Sequence, residues 1–140
     1  MDLRVVYGER LSEEELEKIE KGFSDIAYKA KELPPIENFC INLYQDMNSL
    51  KASIYGSLYY GCMHIDTIFV DEDLRGRGHG KELVRLAENF AVKKNCLFIT
   101  VSTMDWEARG FYEKLGYMPE YERKGYIKDS ILYSLIKHLS

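Results

Sequence analysis

Between Val70 and Lys81 the chain reads Val-Asp-Glu-Asp-Leu-Arg-Gly-Arg-Gly-His-Gly-Lys. Glycines at 76, 78 and 80 leave the backbone without Cβ atoms, so its N–H groups can approach a ligand closely. The apolar run from Cys62 to Val70 before this loop reads as a strand. After it, Leu83, Val84, Leu86, Ala87, Phe90 and Ala91 recur at the helical period. The loop thus delivers its N–H groups at a helix start, where the macrodipole adds positive potential and an anion, usually phosphate, binds. Arg75, Arg77, His79 and Lys81 bring basic side chains to the same turn. The chain as a whole is acidic, with 19 Lys plus Arg against 23 Asp plus Glu and a formal charge of −4. The loop is therefore a local reversal of sign.

Two common phosphate loops do not fit these letters. A P-loop needs G-x-x-x-x-G-K-[ST], but Glu82 follows Lys81 and Arg75 stands where the motif would open. A dinucleotide fold needs G-x-G-x-x-G after its first strand, whereas these glycines are spaced by two. The spacing that fits is R-x-x-G-x-G, given by Arg75, Gly78 and Gly80. A second segment, Asp105 to Tyr117, reads A-x-x-F-Y-x-x-x-G-Y from Ala108 through Phe111, Tyr112, Gly116 and Tyr117. In both pattern and order the pair strongly resembles the two signatures of the GNAT superfamily, the acyl-CoA-dependent N-acyltransferases.

The resemblance implies a mixed α/β (α+β) fold, a mostly antiparallel central sheet with helices on both faces. It also implies acetyl-CoA as co-substrate. Backbone amides of Arg75, Gly76, Arg77, Gly78, His79, Gly80 and Lys81 would hold the coenzyme pyrophosphate. Backbone N–H groups of Ile68, Phe69 and Val70 would serve the oxyanion and the pantetheine arm, in a gap where the strand Cys96–Ser102 splays away. The reaction would move an acetyl group from acetyl-CoA to a primary amine of a small molecule or peptide, in a ternary complex. Tyr112 would be the general acid that protonates the leaving thiolate; a phenol near pKa 10 is only modestly weaker an acid than a thiol near 8.5. His64 and Asp66, two apart on one strand and so on one face, are the candidates for handling the amine proton. Asp105 stands where the family often has Asn; it is either a coenzyme contact or a helix cap. Tyr55, Tyr59 and Tyr60 could line a cation pocket, although Tyr is also a good strand former. The alternative function is a non-catalytic acyl-CoA-binding regulatory module. A nucleotide hydrolase or kinase is disfavoured by Glu82 and by the lack of a magnesium carboxylate arrangement.

These residues need a scaffold. Leu3–Tyr7 is a short β-like run. Ser12 and Glu15 form a capping box, and Leu16, Ile19, Phe23, Ile26, Ala27 and Ala30 mark a helix with one face for a core, ended by Pro34-Pro35. Asn38–Gln45, Ala52–Tyr60 and Cys62–Val70 read as strands, with a turn at Asp46–Asn48. The helix from about Gly80 leads to Cys96–Ser102, apolar enough for a strand buried on both faces. Asp105 could cap a helix over Trp106–Leu115, with Gly116 as its terminating glycine. Tyr117–Tyr126 and Ser130–Leu139 close the order β-α-β-β-β-α-β-α-β-β.

The 140 residues suit one domain, 1–140. Net negative charge argues against nucleic acid as a partner. No apolar run approaches the roughly 18 residues a membrane helix needs, and Met1-Asp2-Leu3-Arg4 lacks a signal-peptide start. The three cysteines, Cys40, Cys62 and Cys96, form no Cys-x-x-Cys pair; no metal site is indicated, and reduced core thiols in a cytoplasmic protein are expected. The resemblance also allows a homodimer.

Overall fold

A computed structural model describes residues 1–139. The chain divides into two compact units, the second beginning at Glu37.

The first unit holds one helix, α1 (Glu13–Lys31). Ser12 caps it as expected: its hydroxyl accepts from the Glu15 N–H at 3.1 Å, and its own N–H donates to the Glu15 carboxylate at 2.8 Å. Glu13, Glu14 and Glu15 complement the positive end of the dipole, and Lys29 and Lys31 the negative end. The helix stops at Glu32, which takes a left-handed conformation (φ 54°) ahead of the prolines. Leu16, Ile19, Phe23 and Ile26 form the apolar stripe, yet no residue of α1 is buried. The expected strand at Leu3–Tyr7 is absent: residues 1–12 make no ladder. A strand exists only through cross-strand bonds, and this unit holds no second strand.

The second unit is a six-stranded sheet in the order β1-β2-β3-β4-β6-β5. The strands are β1 (Glu37–Tyr44), β2 (Leu50–Tyr59), β3 (Cys62–Val70), β4 (Phe98–Met104), β5 (Met118–Arg123) and β6 (Leu132–His138). All neighbours are antiparallel except β3 and β4. That parallel pair requires a crossover, supplied by α2 (His79–Lys93). A short helix, α3 (Arg109–Lys114), lies between β4 and β5. The mixed, mostly antiparallel α/β architecture that the resemblance implies is the one found.

The turns follow local chemistry. Asp46 accepts the N–H groups of Asn48 and Ser49, both at 3.0 Å. Tyr60 (φ 53°) and Gly61 (φ 86°) make the two-residue hairpin between β2 and β3. α2 lays Leu83, Val84, Ala87 and Ala91 on β1, β2 and β3, where Ala52, Ile54, Met63 and Ile65 complete the core. β4 alternates instead of being buried on both faces: Ile99, Val101 and Thr103 are buried, while Ser102 is exposed. Cys62 and Cys96 are buried free thiols, but Cys40 is exposed, because Phe39 takes the core face of β1. No helix of the described residues is long and apolar enough to cross a membrane.

Candidate active site

The site begins where two strands part. β3 and β4 pair from Cys62 with Phe98 to Ile65 with Val101, and there the ladder stops, although β3 runs on to Val70 and β4 to Met104. The opening is a cleft of about 110 Å³. Asp66, Thr67 and Ile68 form one wall, Val101, Ser102 and Thr103 the other, and Glu107, Ala108 and Tyr112 close the end. Along an antiparallel strand, alternate N–H groups face alternate sides. β2 claims one set from this half of β3, and the other set faces the cleft.

A bulge starts the divergence. Tyr55 pairs with Thr67, but Gly56 pairs with Ile65, so Asp66 is the extra residue on β3. Gly56 is required there: a Cβ on it would overlap the His64 carbonyl oxygen. The strain-free answer is glycine, and the effect is to turn Asp66 out of the ladder.

The cleft continues into a trough. Ile68, Glu107 and Ala108 also border a cavity of about 570 Å³ with Val70, Arg75, Gly80, Trp106 and Phe111. Val70, Arg75, Gly80 and Phe111 in turn border a cavity of about 280 Å³ along the glycine loop, shared with Leu74, Gly76, Gly78, His79 and Lys81. Gly76 (φ 77°) and Gly78 (φ 86°) occupy the left-handed region that favours glycine. Gly80 lets two motifs meet: a Cβ there would lie 3.3 Å from Phe111 Cζ.

The loop is held from below. Arg75 Nε donates to the Val70 carbonyl at 3.0 Å. Lys51 lies 3.3 Å from both Asp71 and Asp73, and the two carboxylates raise the lysine's pKa. The first bond of α2 runs from the Glu82 N–H to the Gly78 carbonyl at 3.0 Å. No acceptor on the described residues takes the N–H groups of residues 76–81. A cradle of unclaimed donors at a helix start, with Arg75, His79 and Lys81 beside it, suits a diphosphate.

Tyr112 is 2% exposed and lines the cleft. Burial first, and the Glu107 carboxylate second, push its pKa above the ordinary tyrosine value. The hydroxyl is thereby kept protonated, the state a donor needs. Its position comes from the end of α3. Gly116 N–H bonds to the Glu113 carbonyl and Tyr117 N–H to the Tyr112 carbonyl, both at 3.1 Å. This is a Schellman motif, with Gly116 at φ 96° as its left-handed residue. The letters Y-x-x-x-G-Y therefore encode a helix stop. α3 is shorter than expected: Trp106–Ala108 form turns, and Thr103 Oγ1 accepts the Ala108 N–H at 3.0 Å.

His64 and Asp66 do come together. His64 Nδ1 lies 2.7 Å from Thr100 Oγ1, and Nε2 lies 3.7 Å from Asp66 Oδ1. Asp66 alone of the two borders both the cleft and a further cavity of about 470 Å³, lined by Asn38, Phe39, Cys40, Tyr55 and Gly56. Of the three strand tyrosines, Tyr55 borders that cavity, while Tyr59 and Tyr60 pack edge to face at the hairpin turn. Phe69 is exposed and its side chain borders none of these cavities. Asp105 does not cap α3: its carboxylate accepts the Ile131 N–H at 3.0 Å, and its own N–H bonds to the Ile131 carbonyl at 2.8 Å. Glu107, Trp106 and Thr100 were not singled out by the letters. A capping carboxylate, an exposed indole and a strand threonine carry no signal until the fold lines them up. No cluster of metal-binding side chains occurs among the described residues.

The chain matches the sequence profile of the acetyltransferase (GNAT) family over residues 7–117. It is 31% identical over 87 residues to blasticidin-S acetyltransferase of Streptomyces morookaense, covering 61% of this chain and 64% of that protein, so less than two thirds of that relative is spanned. Among solved structures it is similar to an acetyltransferase from Bacillus cereus ATCC 14579, with 25% identity, a TM-score of 0.75, and 96% and 98% of the two chains covered. A candidate streptothricin acetyltransferase from Bacillus anthracis str. Ames, solved with acetyl coenzyme A, shares the fold at 22% identity and a TM-score of 0.66, over 74% of this chain and 64% of that one.

Proposed function

Because this chain belongs to the GNAT acetyltransferase family, we propose that it moves an acetyl group from acetyl-CoA to a primary amine of a small molecule or peptide. One observation carries this reading. The β3–β4 cleft shares Ile68, Glu107 and Ala108 with the trough that borders the unclaimed N–H cradle, and Asp66 with the 470 Å³ cavity. A donor lying in the trough and an acceptor entering past Tyr55 would meet at the cleft.

In the reaction the amine nitrogen forms a bond to the acetyl carbon, the carbon–sulfur bond breaks, and the sulfur leaves with its electron pair and takes a proton. The residues divide that work. Residues 75–81 hold the diphosphate. Backbone N–H groups within Ile68–Val70 stabilise negative charge on the carbonyl oxygen. Asp66, oriented by His64 and Thr100, accepts the proton the amine must shed. Tyr112 donates its hydroxyl proton toward the sulfur. Because its pKa is raised, hydrogen-bond stabilisation of the developing thiolate precedes full transfer.

The family match crosses from residue 7 to residue 117 and so includes both units. This supports treating residues 1–140 as one transferase domain. The free thiols fit a reducing compartment, the cytoplasm. Thiol release from acetyl-CoA, measured across polyamines, aminoglycosides, amino acids and peptides with mass detection of product, tests the reading. Release with an acetylated amine supports it. Tight acetyl-CoA binding without release on any amine would instead favour an acyl-CoA-binding regulatory module.

A further inference from the structure

Behind Tyr112 lies a polar cluster that the acetyl-transfer chemistry does not use. Glu88 of α2 places one carboxylate oxygen, Oε2, 2.9 Å from the Tyr117 hydroxyl and 3.0 Å from Lys137 Nζ of β6. The Lys137 ammonium also donates to the Leu115 carbonyl at 2.8 Å and lies 5.5 Å from the centre of the Tyr117 ring. Leu115 is the residue that ends α3. Tyr117 is 2% exposed, and its ring meets that of Tyr112 edge to face at 5.4 Å.

α3 has six residues, far fewer than a helix needs to persist alone in water. Its place must come from outside. The cluster supplies three such constraints at the C-terminal end: a cation on the last carbonyl, where the dipole is negative, a ring against Tyr112, and a carboxylate that fixes both. The same carboxylate belongs to the helix that starts at the glycine loop. We propose that Glu88, Lys137 and Tyr117 form a clamp that sets Tyr112 against the cleft and couples it to α2, so that all three are positioning residues for acetyl transfer. The clamp rests on Tyr112 acting as the acid.

A double-mutant cycle tests it. Tyr117→Phe keeps the ring and removes the hydroxyl; Lys137→Met removes the cation. Each is expected to lower kcat on the order of tenfold, with KM for acetyl-CoA within about twofold. In a Tyr112→Phe background the same changes should cost less than about twofold, because the group they position is gone. Lys137→Arg, which keeps a donor for Glu88 and the Leu115 carbonyl, should restore most of the kcat lost in Lys137→Met. Equal losses in both backgrounds would reduce the cluster to packing and overturn the clamp. Unchanged kcat in Tyr117→Phe and Lys137→Met would overturn it too. Tyr112→Phe with full turnover, a single-variant result outside the cycle, would overturn the acid assignment first and the clamp with it. Should Lys137→Met fail to fold, Tyr117→Phe alone completes the cycle.

Discussion

Tyr117 donates its backbone N–H to the Tyr112 carbonyl at 3.1 Å while the two rings meet edge to face at 5.4 Å. The pair joins the two consequences of a Schellman stop, a closed backbone and an apolar contact across it. It fixes the Tyr112 ring in a residue that lines the cleft.

Removing that hydroxyl should separate chemistry from binding. Tyr112→Phe is expected to lower kcat on the order of 100-fold, since general acid catalysis typically contributes that much. The KM for acetyl-CoA should change little, because the interaction matters mainly in the transition state. Steady-state kinetics with the best amine checks this. Unchanged turnover would remove Tyr112 from the reaction.

Filling the phosphate cradle should abolish donor binding. Gly78→Val puts a β-branched side chain at a left-handed position of the loop that borders the cradle, and acetyl-CoA affinity should fall by more than about 100-fold, or roughly 2.7 kcal/mol. Gly78→Asn tolerates the left-handed backbone better and still adds a Cβ, so it should weaken binding at least about tenfold with α2 intact by circular dichroism. Wild-type affinity in the folded Asn variant would refute the loop assignment.

The bulge should be intolerant. Any Cβ at Gly56 overlaps the His64 carbonyl, so Gly56→Ala must displace β3 or lose the bulge. We expect a loss of about 1–3 kcal/mol in urea unfolding. Turnover should fall as well, since Asp66 no longer projects from the ladder. A fully stable and active Gly56→Ala protein would show that β3 accommodates the methyl group without moving Asp66.

Alkaline pH should destabilise the fold. Burial raises the pKa of both Tyr112 and Tyr117, and Glu88 adds to the effect at Tyr117. Above the ordinary tyrosine pKa near 10 the unfolded chain loses protons that the folded chain keeps, so stability is lost as pH rises. Each ring should contribute a slope of about 1.4 kcal/mol per pH unit there. Urea titrations between pH 8.5 and about 11 check this. Tyr117→Phe should halve the contribution of the pair; a pH-independent midpoint across that range would contradict the burial of both phenols.

Local features of the fold were legible in the letters. The glycine loop, the strand before it, the helix after it and the capping box at Ser12 all rest on near neighbours in sequence. Features that depend on pairing were not. Leu3–Tyr7 has strand composition but no partner in its unit. Gly56 reads as an ordinary strand glycine until its register with His64 is known. Asp105 looks like a helix cap because nothing local reveals its bonds to Ile131, 26 residues away. Glu88 and Lys137 are 49 residues apart, so nothing local in the sequence signals their pairing. Nor could composition place Cys40 outside the core, since the choice between it and Phe39 depends on which face α2 covers.

The early end of the β3–β4 ladder bears on how such a scaffold could be redesigned. The slot is made by main chains moving apart, not by a niche carved between particular side chains. Replacing the residues at 38, 40 and 55 would therefore remodel what enters from one flank while leaving the glycine loop, and the diphosphate binding proposed for it, untouched. Swapping acceptors on this framework becomes a matter of repainting one wall, provided glycine stays at 56 and the strands still separate beyond Ile65.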